Sequence, residues 1–133
     1  MIKTYPLLLF IFFQSHFSFT QSDIYKDYYD DGQLKIEGSF VNGKRSGIWK
    51  FYYLNGSLKA KGNLLEGEKN GLWLWYYENG RTKFQGSFVE GKKNGIWKEY
   101  YERGKLSLEA FYSDGNILRI TCWDDVGNKM ECK

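Results

Sequence analysis

From Tyr25 onward the chain sets short runs of aromatic and β-branched residues between polar clusters. Ile48-Trp-Lys-Phe-Tyr-Tyr-Leu54 is one such run, a composition that suits a pleated, half-buried strand. Asn55-Gly56 interrupts it, and Ser57 to Leu65 returns. Asn-Gly is the strongest two-residue hairpin signal, because a type I′ turn places both central residues at φ > 0. Asp31-Gly32, Asn79-Gly80 and Arg103-Gly104 stand at equivalent places. The polar stretches 42–47, 66–71 and 90–95 read as loops joining one hairpin to the next. The pattern predicts an all-β chain, a continuous antiparallel meander of hairpins.

The pattern repeats every 24 residues, the signature of a tandem architecture. Gly32, Gly56, Gly80 and Gly104 form one column, and Gly38, Gly62 and Gly86 a second, continued by Ala110. Gly43, Gly67, Gly91 and Gly115 form a third, and Gly47, Gly71 and Gly95 a fourth. Trp49, Trp73 and Trp97 align, as do Tyr28-Tyr29, Tyr52-Tyr53, Tyr76-Tyr77 and Tyr100-Tyr101. With Asn55-Gly56 as a two-residue loop, Leu54 pairs with Ser57, and counting outward sets Trp49 opposite Gly62. The same count sets Tyr25 opposite Gly38, Trp73 opposite Gly86 and Trp97 opposite Ala110. An aromatic that faces a strand glycine can cover the backbone left bare by the missing side chain.

Alternation then sorts two faces. Trp49, Phe51, Tyr53, Leu58, Ala60 and Leu64 point one way. Ile48, Lys50, Tyr52, Lys59, Lys61 and Asn63 point the other. The first face is apolar, and a single sheet cannot leave it flat in water, so it must coil on itself or stack on another molecule. Core and ligand surface are both open readings of this face; indole over glycine favours core. On the wetter face, tyrosine beside cations is the composition enriched at interfaces. The candidate partner surface is therefore Lys50, Tyr52, Lys59, Lys61, Tyr76, Lys98 and Tyr100. The basic residues of the joining loops, Lys44, Arg45, Lys69, Lys92 and Lys93, are a second candidate, suited to lipid headgroups or an envelope surface.

The spacing of Gly47-Ile-Trp49, Tyr52-Tyr53, Gly56, Gly62 and Gly67 resembles the MORN repeat. It is most similar to the MORN-variant repeats of short exported bacterial proteins, many of which are labelled antitoxin-like. The resemblance covers four units, about 25–48, 49–72, 73–96 and 97–120, within a repeat region 21–120 followed by a capping hairpin, 121–133. Tyr25 replaces tryptophan in the first unit, and the last unit lacks glycine at 110 and 119, departures expected of capping units. The resemblance implies an elongated, twisted antiparallel sheet. It also implies interaction with proteins or membranes in place of catalysis, with an antitoxin- or immunity-like role as an alternative.

The 133 residues suit one domain, and an aromatic share of 20% supplies a core. The formal net charge of +3 is mild and the charges are interleaved, which gives no footprint for nucleic acid. At the N-terminus, Met1-Ile2-Lys3, the apolar run Tyr5 to Phe13 and the polar stretch Gln14 to Thr20 follow the order of a secretory signal peptide, residues 1–20. Cleavage is expected after Thr20, with Ser18 as the rival; an uncleaved anchor helix is the other reading, but the run is short for a bilayer. The expected location is therefore secreted or periplasmic, at the envelope. The single His, His16, lies in that leader, so no Ser-His-Asp or Cys-His arrangement exists beyond it. Asp30-Asp31 and Asp124-Asp125 sit at expected turns, as turn carboxylates do. A phosphate cradle needs a helix after its glycine loop, and here strands follow. No cofactor, metal or small-molecule substrate is expected, and no enzymatic activity.

The leading functional expectation is a non-enzymatic, exported module that binds another protein along its sheet. Cys122 and Cys132 are the only cysteines. With Val126-Gly127-Asn128 as a loop they lie opposite each other, and in an exported chain such a pair closes a disulfide. Mass spectrometry of exported, unreduced protein will find no alkylatable thiol; two alkylated cysteines would reject the bridge.

Overall fold

A computed structural model of the chain describes residues 22–132; the expected leader, 1–20, lies outside them. Ten strands form one open sheet in sequence order, each antiparallel to the next. They are β1 (Ser22–Tyr28), β2 (Leu34–Val41), β3 (Lys44–Tyr52), β4 (Leu58–Leu65), β5 (Glu68–Tyr76), β6 (Thr82–Val89), β7 (Lys92–Tyr100), β8 (Leu106–Ser113), β9 (Asn116–Trp123) and β10 (Lys129–Met130). The all-β meander of 24-residue hairpins is as the alternation predicts.

The two kinds of turn have exchanged places relative to expectation. Tyr53 N–H donates to Ser57 at 2.8 Å and Gly56 N–H to Tyr53 at 2.9 Å, closing a three-residue loop. Only Gly56 is left-handed there (φ 82°), while Asn55 is not. This is a type I turn ending in a glycine bulge. Asn55 contributes its side chain: Oδ1 accepts the Ser57 N–H at 2.9 Å, an Asx turn. The type I′ turns lie at the opposite ends of the strands. Asn42-Gly43, Glu66-Gly67, Glu90-Gly91 and Asp114-Gly115 all have positive φ at both residues. The polar stretches expected to be loops are thus mostly strand, and Lys44, Glu68 and Lys92 begin β3, β5 and β7 directly after two-residue turns.

Bulges reconcile the new turns with the predicted register. A three-residue loop shifts the count by one, and the unpaired Lys59 between the pairs Tyr52–Leu58 and Phe51–Ala60 shifts it back. Trp49 therefore still pairs with Gly62, Trp73 with Gly86, Tyr25 with Gly38 and Trp97 with Ala110. On the other side of each strand pair, Asn63–Asn70 is followed by Gly62–Trp73. Two extra residues, Gly71 (φ 72°) and Leu72, occupy the gap. Only glycine reaches that left-handed backbone without strain. Where Arg119 replaces this glycine, the bulge shrinks to the single residue Leu118.

The indoles cover glycines, but on the strand before theirs instead of across their own hairpin. A Cβ placed on Gly38 would enter the ring of Trp49; on Gly62, that of Trp73; on Gly86, that of Trp97. The wide bulge at Gly71-Leu72 re-aims Trp73 backward, as bulges do. Trp49, Trp73 and Trp97 are 0%, 2% and 6% exposed, and with Leu64 and Phe88 they make the core of a sheet that has no second layer. This explains Ala110. Thr121 stands where the next tryptophan would be, so no ring descends on position 110 and a methyl fits.

The last hairpin differs in the same way as the others. Asp124 N–H donates to Asn128 at 2.9 Å around a three-residue loop, so Cys122 pairs with Met130 and not with Cys132. The disulfide forms diagonally, Cα to Cα 5.4 Å.

Gly62→Ala will lower stability in urea unfolding by about 1–3 kcal/mol through overpacking against Trp73. Ala110→Gly will cost less, up to about 1 kcal/mol of backbone entropy. Equal effects would contradict the indole-on-glycine account.

Candidate interaction surface

The face that carries the tryptophans is built from three columns. The buried indoles form one. The residue two places on, Phe51 or Trp75, stacks forward on the next unit's indole, with centroids 6.2 Å apart for Phe51–Trp73 and 5.8 Å for Trp75–Trp97. Tyr29, Tyr53, Tyr77 and Tyr101 form the third, and each hydroxyl donates to a backbone carbonyl of the following unit: Tyr52, Tyr76, Tyr100 and Trp123, at 2.7–2.8 Å. The second tyrosine of each pair is therefore a staple between hairpins. Only its recurrence at a fixed spacing marked it in the sequence.

Cations lie over two of these columns. Arg45 Cζ is 4.8 Å from the Trp49 ring centroid, Lys69 Nζ 4.8 Å from that of Trp73 and Lys93 Nζ 4.4 Å from that of Trp97. Lys35, Lys59 and Lys83 lie 5.4–5.6 Å over Tyr29, Tyr53 and Tyr77. Cation–π attraction at such distances contributes about 0.5–2 kcal/mol, more where water is excluded. Between the cationic columns run open grooves. One of about 430 Å³ is lined by Lys59, Lys69, Phe51 and Trp75 among others. A second, of about 330 Å³, continues it past Lys69, Lys93, Phe84 and Glu99. The tryptophan column is thus core, while the neighbouring columns line a trough.

The residues expected to form the candidate partner surface divide. Lys59 leaves it: as the bulge residue it breaks the alternation and turns to the aromatic face, over Tyr53. Lys50 Nζ and the Tyr52 hydroxyl both donate to Glu37 Oε1, at 2.8 and 2.7 Å. Lys98 pairs with Glu109 at 3.7 Å. Pairing carries one row across this charged face, from Lys26 through Glu37, Lys50 and Lys61 to Leu74, Gln85, Lys98 and Glu109. Tyr76 and Tyr100 end β5 and β7. Ile48, Leu72 and Ile96, on the same side, are more than half exposed.

The five basic residues expected on loops sit on strands and also divide. Lys44 pairs with Glu66 at 2.8 Å and Lys92 with Asp114 at 2.7 Å, each reaching the next unit's turn. Arg45, Lys69 and Lys93 fold over the indoles instead. Their backbone carbonyls accept from Gly67, Gly91 and Gly115 at 2.8–3.1 Å, a second staple along the opposite margin. Burial, then the neighbouring Lys93, holds the Lys69 ammonium below its usual pKa.

Residues 24–42, 45–65, 69–90 and 93–114 match the MORN repeat variant family, and the chain belongs to it. Repeats of this family generally mediate interaction with proteins or membranes and are typically non-catalytic. No curated protein matches the chain. Among the described residues no cluster of His, Cys, Asp and Glu could hold a metal ion.

Burial, and then the hydrogen bond to Glu37, push the Tyr52 hydroxyl up to about 12 from 10.0. The folded chain keeps this proton after the unfolded chain loses it, so the contribution is whole below pH 10 and lost as pH rises from 10 to about 12. The stability gap between the native chain and Tyr52→Phe, from urea midpoints, will narrow across that window.

Proposed function

We propose that this chain is an exported, non-catalytic module that binds another protein across the aromatic face of its sheet. The trough carries the reading: half-buried rings and cations, repeated unit after unit, supply the aromatic and basic anchors favoured at protein interfaces. The charged face is the weaker candidate, because Lys50, Tyr52 and Lys98 are already engaged with Glu37 and Glu109. Headgroup binding through the basic residues finds less support, since Lys44 and Lys92 are paired and Arg45, Lys69 and Lys93 lie over rings. We read residues 1–20 as the leader, 21–120 as four units and 121–133 as the cap. The Cys122–Cys132 bridge supports an oxidising location.

Affinity capture from the native envelope fraction tests the reading. A specific protein should be retained by the native chain and by Lys61→Gln, and lost with Trp75→Leu in protein whose circular dichroism remains that of the native sheet, although the lost ring contacts to Trp73, Phe84 and Trp97 lower its unfolding midpoint. Retention by Trp75→Leu together with loss in Lys61→Gln would move the site to the charged face.

A further inference from the structure

The trough holds positive charge that the fold itself does not neutralise. Among the described residues no carboxylate comes within ion-pair distance of Arg45, Lys59, Lys69, Lys83 or Lys93, and Lys35 has only Asp27, at 3.6 Å. On the other face and at the turns, by contrast, lysines find carboxylates at 2.7–3.7 Å. Each of the first three units contributes one cation to each column, Lys35, Lys59 and Lys83 to one and Arg45, Lys69 and Lys93 to the other, at 24-residue intervals. The single acid lining the grooves is Glu99, where earlier units have Phe51 and Trp75. A row of like charges held together over an apolar floor is unfavourable in the free protein, and an anionic occupant relieves it.

We propose that the trough takes an extended acidic segment of the partner protein, lying across the strands with a carboxylate at every third residue. The assignment rests on the protein-binding reading above. The spacing follows from geometry. One unit is two strands wide, about 9.4–9.8 Å. A polyproline II chain rises about 3.1 Å per residue with three residues per turn, so every third side chain returns to the same side after about 9.3 Å. Successive carboxylates then meet Arg45, Lys69 and Lys93, while the residues between them lie on Phe51, Trp75 and Phe84. Glu99 marks where the acidic run ends. A single chain reaches nitrogens that lie 4.4–5.0 Å over ring faces; a planar layer of headgroups meets the rims of the trough first.

Fluorescence anisotropy on the full-length secreted protein tests this, with a labelled Glu-Pro-Pro repeat peptide as probe. The repeat peptide should bind about tenfold or more tightly than an isomer of the same composition with its glutamates clustered, because only matched spacing engages several cations at once. Its Gln-Pro-Pro counterpart should not bind. The double variant Lys69→Gln/Lys93→Gln removes two of the cations the carboxylates meet; in protein whose circular dichroism remains that of the native sheet it should weaken binding about tenfold, and Lys61→Gln should leave binding as it was. Equal binding of the two glutamate peptides overturns the proposal. So does binding of the Gln-Pro-Pro peptide, or capture by phosphatidylglycerol vesicles where the repeat peptide fails. If the spacing has no effect but native-partner capture still requires Trp75, the acidic segment falls and the protein-binding reading stands. If capture is indifferent to Trp75, the reading itself falls.

Discussion

Everything in this sheet depends on an indole lying against bare backbone. A one-layer sheet has no opposing layer to bury its apolar side chains. Here the large side chains lie down along the sheet, and the space they need comes from removing the side chain beneath. Gly38, Gly62 and Gly86 receive Trp49, Trp73 and Trp97, and Phe88 closes edge-on against Trp97 with centroids 5.0 Å apart. Basic side chains provide the remaining cover. Arginine and lysine stems are apolar enough to lie on rings while the charged ends stay hydrated, so the residues that roof the core also define its surface.

Because each ring reaches back to the preceding unit, no hairpin owns its core. Trp73 completes the unit before it, and Tyr53 ties its own unit to the carbonyl of Tyr76 in the unit after it. The ends of the chain follow from this dependence. Tyr25 has no earlier described glycine to cover, and a smaller ring stands there. At Ala110 the pattern stops, because Thr121 stands where the next indole of the column would be, and the carbonyl of Trp123 serves as the last acceptor for a tyrosine. The bridge from Cys122 to Cys132 then holds a strand of two residues, Lys129–Met130, that ladder bonds alone would hold poorly.

Much of this was legible in the sequence. The 24-residue period, the pairing of tryptophan with glycine and the bridging of the two cysteines all follow from spacing. What alternation could not supply is the effect of an unpaired residue. Lys59 reads as outward by simple counting, and a bulge turns it inward, carrying Lys35 and Lys83 with it. Asn-Gly signals a turn, yet Asn55 acts through its side chain while Glu66 and Glu90 take the left-handed backbone normally left to asparagine or glycine. The third loop residue and the unpaired residue of the returning strand compensate each other, so a count made with the wrong loop still arrives at the right partners. The division of the cations between ion pairs and rings depends on side-chain direction at those bulges, which no periodicity records.

The tyrosine hydroxyls fasten one margin of the sheet and the turn glycines the other, at every junction between units. With both margins tied, neighbouring units cannot slide or fan apart independently, and equivalent points recur at one fixed interval. Such a surface works as a graduated rule. Losing or gaining a whole unit would change the length it measures by one division while leaving every other mark where it was.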